Sequence, residues 1–425
     1  MTAVEFQSDQ PVRKKAFGLP IDMYVLVTVG GLALFGLMMV YSTTFDWSYQ
    51  KYQNAATIFL RQVLWLGIGT AVMLLAARID FHIWRRLALP LMAGTLFALT
   101  AVLFFGSQVF NAQRSFFNGS VQPSELAKLA TIIYLAVWLS SKGDKIREVG
   151  YGIGPFSVIV GVVAGLILAQ PDLSAALTVI VVSVIMFFVA GADLFQMGVV
   201  TLFAGTAAAA VLQFFATGRQ RLAEYLAGVQ DVTQASWHIQ QAAIAFVNGG
   251  LFGRGLGESH QKFGFLPTPH TDSIFAIIGE ELGLVGCLFV VVLFIVLVYR
   301  GLRIAAQARD GLGALLAAGV ATWIGLEALI NIAVIVGAIP FAGNALPFIS
   351  YGGSNLVVSM LAIGVLLSIS RRAPDESIPR RTRSVGALSE RNARGESEAD
   401  ATYDLRRRDG RGRLSRAVGR SNADR

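Results

Sequence analysis

Cysteine and charged residues are both scarce in this sequence. Its 425 residues include a single cysteine, Cys287, which lies inside an apolar stretch, so the sequence predicts no disulfide and no thiol redox chemistry. Charged residues make up only 15% of the chain, whereas soluble domains carry about a quarter. With 54% hydrophobic residues, this composition excludes a soluble protein and indicates an integral membrane protein.

Sequence features that would indicate other classes of protein are also missing. The run GGLFGRGLG (249–257) has no preceding strand and no GK[ST], which argues against nucleotide binding. No internal repeat is visible, so a transporter of the inverted-repeat type gains no support. The basic C-terminal tail lacks interleaved aromatic residues, so nucleic acid is not an expected partner.

The apolar residues are gathered into ten stretches, each long enough to cross a hydrocarbon core of about 30 Å as a helix. The sequence therefore predicts an all-α, polytopic membrane protein, with spans near 22–42, 58–77, 87–106, 124–141, 154–170, 174–192, 195–216, 273–299, 313–338 and 347–370. The first stretch lacks a small-residue cleavage site, so we expect it to be retained as a span.

Lysine and arginine predict which side of the membrane each short loop faces. They cluster before span one and after spans two, four and eight, which fall on the same side if the number of spans is even. The pattern predicts a plasma-membrane protein with both ends, residues 1–20 and 373–425, in the cytoplasm. From residue 371 onward fifteen Arg accompany nine acidic residues, so this tail is expected to be disordered and attracted to anionic lipids.

One large extracytoplasmic loop, at about 217–272, interrupts the membrane domain that the sequence predicts over 21–372. Within this loop, ASWHIQQAAIAFV (235–247) predicts a short helix. Its apolar face consists of Ile239, Ala243, Phe246 and Val247, with Gln240 and Gln241 opposite. The glycines that follow are expected to end any regular element.

Several ionisable residues lie where a membrane penalises charge. Glu125 and Lys128 open span four on one helical face, where they form either a structural ion pair or part of a polar cavity. Arg61 opens span two, Arg114 precedes span four, and Asp172 lies between spans five and six. Each has a simpler alternative, since Arg61 can reach headgroups, Arg114 can be solvated and Asp172 can cap span six. Their convergence on one membrane face favours a cavity.

The stretch LPTPHTDSIFAIIGEELG (266–283) gathers four more titratable residues at the start of span eight. Asp272 is either the N-cap of this span or part of a functional cavity. Glu280 and Glu281 lie two turns into an apolar helix and are expected to face protein or water. Together with His270, these groups favour a functional cavity.

Four motifs carry a resemblance to a known family: QPSELAKLA (122–130), QPDLSAALT (170–178), NGGLFGRGLGESHQKFGFLPTPHTDSIFAIIGEELG (248–283) and LPFISYGGSN (346–355). With this order and spacing, residues 20–372 resemble the SEDS proteins (shape, elongation, division and sporulation). These are the FtsW/RodA/SpoVE group of bacterial cell-wall polymerases, and the basic tail here is nearer to the FtsW type.

The resemblance implies a ten-helix glycosyltransferase that polymerises lipid II into glycan strands during septal cell-wall synthesis. It places the family's essential aspartate at Asp272, which we interpret as a general base. We predict that further residues of the motifs and of the cavity bind substrate: Arg61, Arg114, Glu125, Lys128, Asp172, Lys262, Glu280, Ser350 and Gly352. Cations among them would stabilise the departing pyrophosphate. No metal-ligand set is legible, although Mg²⁺ or Mn²⁺ suits such chemistry.

The resemblance also implies partners, namely a class B penicillin-binding protein, which is a transpeptidase, and divisome proteins. Two alternative functions stay open, a lipid II flippase and a non-catalytic divisome scaffold that recruits a transpeptidase.

The chain departs from the family pattern at three places. Pro340-Phe341-Ala342-Gly343 stands where P-x-T-G is common. Glu327 stands where Gln is common, and Asn355 where Ser is common. The first of these departures is expected to affect how the outer loop closes on substrate.

Overall fold

The computed structural model describes residues 21–109, 112–116, 122–148, 150–214 and 216–371. The predictions for the N-terminal segment 1–20 and for the basic tail 373–425 lie outside these residues.

Helices make up most of the described chain, which confirms the all-α prediction. They are α1 (Met23–Tyr52), α2 (Thr57–Arg78), α3 (Trp84–Phe105), α4 (Pro123–Lys142), α5 (Ile153–Leu168), α6 (Leu173–Val189), α7 (Leu194–Phe214), α8 (Ala216–Gln230), α9 (Trp237–Gly249), α10 (Ile274–Gln307), α11 (Gly311–Ile335) and α12 (Gly353–Ser370). The one departure among the described residues is a short antiparallel hairpin, β1 (Ser107–Val109) and β2 (Ala112–Ser115), between α3 and α4.

Six of the described helices, α1, α2, α3, α10, α11 and α12, are long and apolar enough to cross a membrane. Shorter apolar helices are α5, α6 and the first part of α7. The chain is thus a multi-pass membrane protein, and the exact number of ten spans stays a prediction. α11 lies at the centre of the bundle, where Trp323 is fully buried, and it packs against α4, α6, α10 and α12.

The two ends of the described chain meet at one end of the helix bundle. The Asp22 backbone N–H donates to Ser370 Oγ over 3.2 Å, and the Asp22 carboxylate pairs with Arg300 at the far end of α10. A described chain that begins and ends at the same end of a bundle fits an even number of crossings, which is the condition under which the basic loops share one side.

The segment between α7 and α10 is more helical than the sequence predicts, because α8 was not expected there. Its sequence is rich in strong helix formers such as Ala, Leu, Gln and Arg. α9 confirms the predicted short helix. Of the predicted apolar face, Ile239 and Phe246 pack against the core, but the most buried face is a different one. The helix buries Gln241, Ala242, Ala245 and Gly249, whereas Val247 is 82% exposed. Small residues occupy the buried face of α9 because they let this helix approach the backbone of α10. At Gly249, for example, a Cβ would collide with the Gly279 carbonyl.

The glycine-rich run after α9 docks against a break in α10. Gly283 has φ +67° and ψ −164° inside this helix, a conformation that favours glycine. The break leaves backbone groups of α10 without helical partners, and the run supplies them. The Glu280 and Glu281 carbonyls accept from the backbone N–H groups of Arg254 and Gly255, each over 3.0 Å. On the other side of the break, the Leu284 N–H donates to the Gly250 carbonyl over 3.0 Å.

Candidate active site

A buried charge cluster joins α4, α11 and α12. Lys128 Nζ lies 2.8 Å from Glu125 Oε2 and also pairs with the Glu327 carboxylate of α11. Asn355 of α12 donates from Nδ2 to Glu125 Oε2 over 3.0 Å. Lys128 is 3% exposed and Glu327 is fully buried. The ion pair predicted from spacing is therefore present, and Glu327 and Asn355, two of the departures from the family pattern, belong to it.

Asp172 connects the N-terminal ends of α4 and α6. Its Oδ1 accepts from the Ala175 backbone N–H over 3.1 Å, which makes it the N-cap of α6. Its Oδ2 accepts from Gln122 Nε2 over 2.9 Å and from Ser124 Oγ over 3.2 Å, both at the start of α4. The capping alternative is confirmed, and the same carboxylate also fastens the two helix ends together.

Asp272 lies two residues before α10 and is half-buried. The N-cap position of α10 belongs to Ser273, so Asp272 is not the cap. A Cβ placed on Gly343 would lie 2.7 Å from Asp272 Oδ2, so the Asp272 carboxylate lies close to this glycine. Ser174 Oγ, at the start of α6, donates to the Gly343 carbonyl over 3.3 Å. Gly343 thus lies between the Asp272 carboxylate and the helix end that Asp172 caps.

Two asparagines that the sequence analysis did not single out hold the backbone around Asp272. Asn331 of α11 donates from Nδ2 to the carbonyls of Asp272 (2.8 Å) and Asn344 (2.6 Å). Asn344 in turn donates to the Glu327 carbonyl over 3.1 Å. A signal for this role was available, because Glu327 and Asn331 are polar residues spaced by four within an apolar span and so share a helical face.

The LPFISYGGSN motif holds the same loop through residues that come just before α12. Ser350 Oγ donates to the Thr271 carbonyl over 2.6 Å and accepts from the Leu346 N–H over 2.8 Å. The Tyr351 N–H donates to the His270 carbonyl over 2.8 Å. Ser350 is buried, and Gly352 is the half-buried residue that precedes α12. Ser350 therefore positions the Asp272 loop, whereas the predicted substrate-binding role of Gly352 stays a prediction.

The predicted pyrophosphate-binding cations differ in how available they are. Arg61 is exposed at the outer end of α2, and its Nη1 lies 3.3 Å from the Tyr52 hydroxyl. Lys262 Nζ is paired with Glu281 Oε1 at 3.0 Å and donates to the Gly257 carbonyl over 2.6 Å. Lys128 is neutralised by its two carboxylates. The backbone of Arg114 lies in β2, and its side chain is outside the described part of the structure.

The structure argues against the prediction that Glu280 binds substrate. Its side chain is fully buried and accepts from Ser259 Oγ (2.5 Å), from the Gln261 N–H (3.2 Å) and from Asn248 Nδ2 (3.3 Å). These groups all belong to α9 or the turn after it, so the carboxylate fastens that turn to α10. The local sequence indicated correctly that Glu280 avoids lipid, but it could not identify partners 19 to 32 residues away.

Burial perturbs two titratable groups next to Asp272. It lowers the pKa of His270 to about 4. It also raises the pKa of the Tyr351 hydroxyl, an effect that the nearby Arg61 charge opposes. His270 is thus neutral at physiological pH, and its ring stacks on Trp47 at 4.8 Å between centroids.

Metal ligands do not gather in the described part of the chain. No three His, Cys, Asp or Glu side chains come together there in a group able to hold an ion. The Mg²⁺ or Mn²⁺ ion that the sequence left open therefore stays a prediction without a ligand set.

The fold and the site define a multi-pass helical membrane protein with an acidic residue beside a buried polar cluster at one end of the bundle. The chain belongs to the FtsW/RodA/SpoVE family of cell cycle proteins, whose family model matches residues 23–374.

Relatives with curated names align with most of the chain. It is 40% identical over 370 residues to the probable peptidoglycan glycosyltransferase FtsW of Trichlorobacter lovleyi, covering 84% of this chain and 96% of that protein. It is 38% identical over 359 residues to stage V sporulation protein E of Bacillus subtilis, covering 82% of this chain and 97% of that one.

Solved structures show the same fold. The rod shape determining protein RodA of Thermus thermophilus superimposes with a TM-score of 0.62 at 26% identity, covering 84% of this chain and 99% of that one. A chain of a peptidoglycan synthase complex, described as coordinating polymerization and crosslinking, reaches a TM-score of 0.68 at 25% identity, with 83% and 98% covered.

Proposed function

We propose that this protein is a peptidoglycan glycosyltransferase that polymerises lipid II into glycan strands during septal cell-wall synthesis. The names of its relatives support the reaction class. The observation that carries the proposal within this chain is the setting of Asp272. Its loop is held by Asn331 and Ser350, while its carboxylate lies against Gly343 at the half-buried edge of the bundle.

In the proposed reaction, Asp272 accepts the proton of an acceptor sugar hydroxyl as that oxygen bonds to the anomeric carbon of the donor. The bond from this carbon to the lipid pyrophosphate breaks, and the electron pair leaves with the pyrophosphate. A positioned base of this kind contributes about 10²–10⁴-fold to the rate. The Asn331 and Ser350 hydrogen bonds serve to fix the backbone that carries this carboxylate.

Among the predicted cations, Arg61 is the best placed to stabilise the departing pyrophosphate, because its side chain is exposed. Lys128 has a different proposed role. Its charge is shared by Glu125 and Glu327, so it organises the helices beneath the site. Asp172 acts in the same way at the outer ends of α4 and α6.

The proposal includes orientation and partners. We place both termini in the cytoplasm and Asp272 on the extracytoplasmic side of the plasma membrane, at the division septum. The structural relative in a peptidoglycan synthase complex supports assembly with a crosslinking enzyme, here a class B penicillin-binding protein, together with divisome proteins.

Polymerisation of lipid II by the purified protein tests the function. Asp272→Asn keeps the shape of the side chain but removes the base, so we expect the rate to fall at least about 10²-fold. The matched control is Asp231→Asn, the same change at an exposed aspartate of the outer segment, and it should retain wild-type activity. Polymerisation that survives in Asp272→Asn would remove this residue from the mechanism.

A lipid II translocation assay in liposomes separates the alternatives. A flippase needs no base, so unimpaired flipping beside lost polymerisation favours the enzyme. A scaffold predicts that neither activity is present in the wild type.

A further inference from the structure

A cavity of about 990 Å³ lies between the outer end of α1 and residues 256–270. This size is at the upper end of the range for small-molecule sites, about 300–1,000 Å³. The cavity reaches His270, whose Cα lies at most about 7.6 Å from that of Asp272 because consecutive Cα atoms are 3.8 Å apart.

The α1 wall of this cavity carries a polar stripe. Ser42, Asp46 and Gln50 all line it and recur every four residues, so they lie along one face of the helix. Gln50 Nε2 donates to Asp46 Oδ2 over 2.7 Å. A hydrocarbon chain lying on this stripe would strip water from polar groups without replacing their hydrogen bonds, which is unfavourable.

The position of the stripe also disfavours a lipid tail. α1 has 30 residues and is therefore about 45 Å long, longer than a hydrocarbon core of about 30 Å. Its first 20 residues suffice to cross that core, so the part from about residue 43 onward extends beyond the lipid tails.

Aromatic side chains complete the wall. The Trp47 ring is 41% exposed and lies on the cavity. It stacks on His270 with 21° between the ring planes, and Nζ of the exposed Lys51 lies 5.1 Å from its centroid. Tyr41, Phe45 and Phe263 also line the cavity. A large aromatic surface with a few placed hydrogen-bonding groups suits a ligand that has both apolar faces and hydroxyl or amide edges.

The charges of the lining disfavour a pyrophosphate group. Lys262 is the lysine of the lining, and its charge is already paired with Glu281. Asp46 adds a negative charge to the wall. An uncharged, hydroxyl-rich ligand fits this balance better than an anion.

We propose that this cavity is a saccharide subsite that holds sugar rings of the glycan strand beside Asp272, with Trp47 as the stacking surface and Asp46 and Gln50 as hydrogen-bonding partners. The proposal rests on the proposed function, because it names the part of the polymer that the site retains between successive additions.

Binding of a soluble saccharide tests the subsite without requiring catalysis. The probe is chitotetraose, an uncharged oligosaccharide of N-acetylglucosamine, and binding to detergent-purified protein is measured by saturation-transfer NMR. We expect Trp47→Ala to weaken binding at least 10-fold and Gln50→Ala to weaken it several-fold. The control is Tyr49→Ala, an exposed aromatic residue of the same helix that does not line the cavity, and it should bind like wild type.

The length of the glycan product provides a second readout. Wild type and Tyr49→Ala should make strands of the same length from lipid II, whereas Trp47→Ala and Gln50→Ala should make strands several-fold shorter. Wild-type binding and wild-type strand lengths in both cavity variants would overturn the proposal. It is also overturned if undecaprenyl phosphate in nanodiscs, and not the saccharide, gives the Trp47-dependent signal. A wild-type protein that binds chitotetraose but makes no polymer would contradict the proposed function and leave the subsite standing.

Discussion

Lys128 illustrates how a membrane protein accommodates a charge that lipid would exclude. Its ammonium group is buried between Glu125 and Glu327, and two carboxylates around one cation make every member of the cluster depend on the others. Removing one partner of a buried ion pair leaves an uncompensated charge, which is more unfavourable than removing the whole pair.

We therefore predict that Lys128→Met lowers the free energy of unfolding by about 3–5 kcal/mol. The double variant Lys128→Met, Glu327→Gln should recover part of that loss, because it removes the charge of the fully buried Glu327 carboxylate, whereas Glu125 keeps its hydrogen bond from Asn355. Thermal unfolding in detergent measures both effects, with the exposed Lys145→Met as the control. A double variant no more stable than Lys128→Met would contradict this account of the cluster.

His270 gives the site a predictable response to acid. Its pKa is about 4 in the folded protein, below the ordinary value of about 6.5. Above pH 6.5 the ring is neutral in both states, and its full contribution to stability is present. As the pH falls from 6.5 to 4 the unfolded chain binds a proton that the folded one does not, so about 3 kcal/mol of stability is lost.

His270→Phe keeps a ring available to stack on Trp47 and removes the titration, so its melting temperature should fall less than that of wild type between pH 7 and pH 4.5. The difference between the two proteins is the relevant quantity, because carboxylates titrate in both. Parallel pH profiles would show that burial does not lower the pKa of His270.

Prediction from sequence succeeds at this scale where the cause is local. The spacing of Glu125 and Lys128 placed them on one helical face and gave their ion pair as one of two alternatives. In the same way, the position of Asp172 before a span gave the cap as an alternative. Asn331 was missed because its partners, the Asp272 and Asn344 carbonyls, are brought to it by the packing of α10 and of the segment after α11.

At the scale of elements, the break in α10 determines where the glycine-rich turn docks. Gly283 adopts a conformation that favours glycine, and a Cβ on it would collide with the backbone of Leu251 and Gly253. Because backbone cannot move aside as a side chain can, we predict that Gly283→Ala lowers the free energy of unfolding by about 1–3 kcal/mol.

The same variant should detach residues 250–255 from α10 and weaken the hydrogen bonds to the Glu280 carboxylate. Thermal unfolding measures the loss of stability. Faster amide exchange at Arg254 and Gly255 reports the detachment of the turn. The control is Gly165→Ala within α5, where a Cβ would meet nothing. Equal stability of the two variants would be evidence against a docked turn.

The elements that the sequence predicted well are the apolar helices, since lipid demands long apolar runs whatever the neighbours are. The outer segment was harder. The hairpin of β1 and β2 is too short to leave a pattern, and α8 carries ordinary polar helix formers that also suit a loop. The buried face of α9 is made of small residues, because close approach to the α10 backbone matters more there than hydrophobicity.

At the scale of the whole molecule, the orientation in the membrane connects the fold to the proposed function. Asp22, Arg300 and Ser370 lie together at one end of the bundle, and Asp272 belongs to the loops at the other. Basic residues of the short loops lie near the first end, and the positive-inside rule predicts that this end is cytoplasmic. In the proposed orientation, Asp272 faces the side on which lipid-linked sugars become cell wall.

Cysteine labelling tests this orientation directly. Cys287 is buried. Once it is changed to serine, maleimide labelling reports only the cysteine that is introduced. Ala306 and Tyr49 are both exposed and lie near opposite ends of the bundle. A membrane-impermeant maleimide added to spheroplasts should label Tyr49→Cys at once and should label Ala306→Cys only after the membrane is permeabilised. The reverse pattern would place Asp272 in the cytoplasm, where no glycan strand is built, and the proposed function would fail with it.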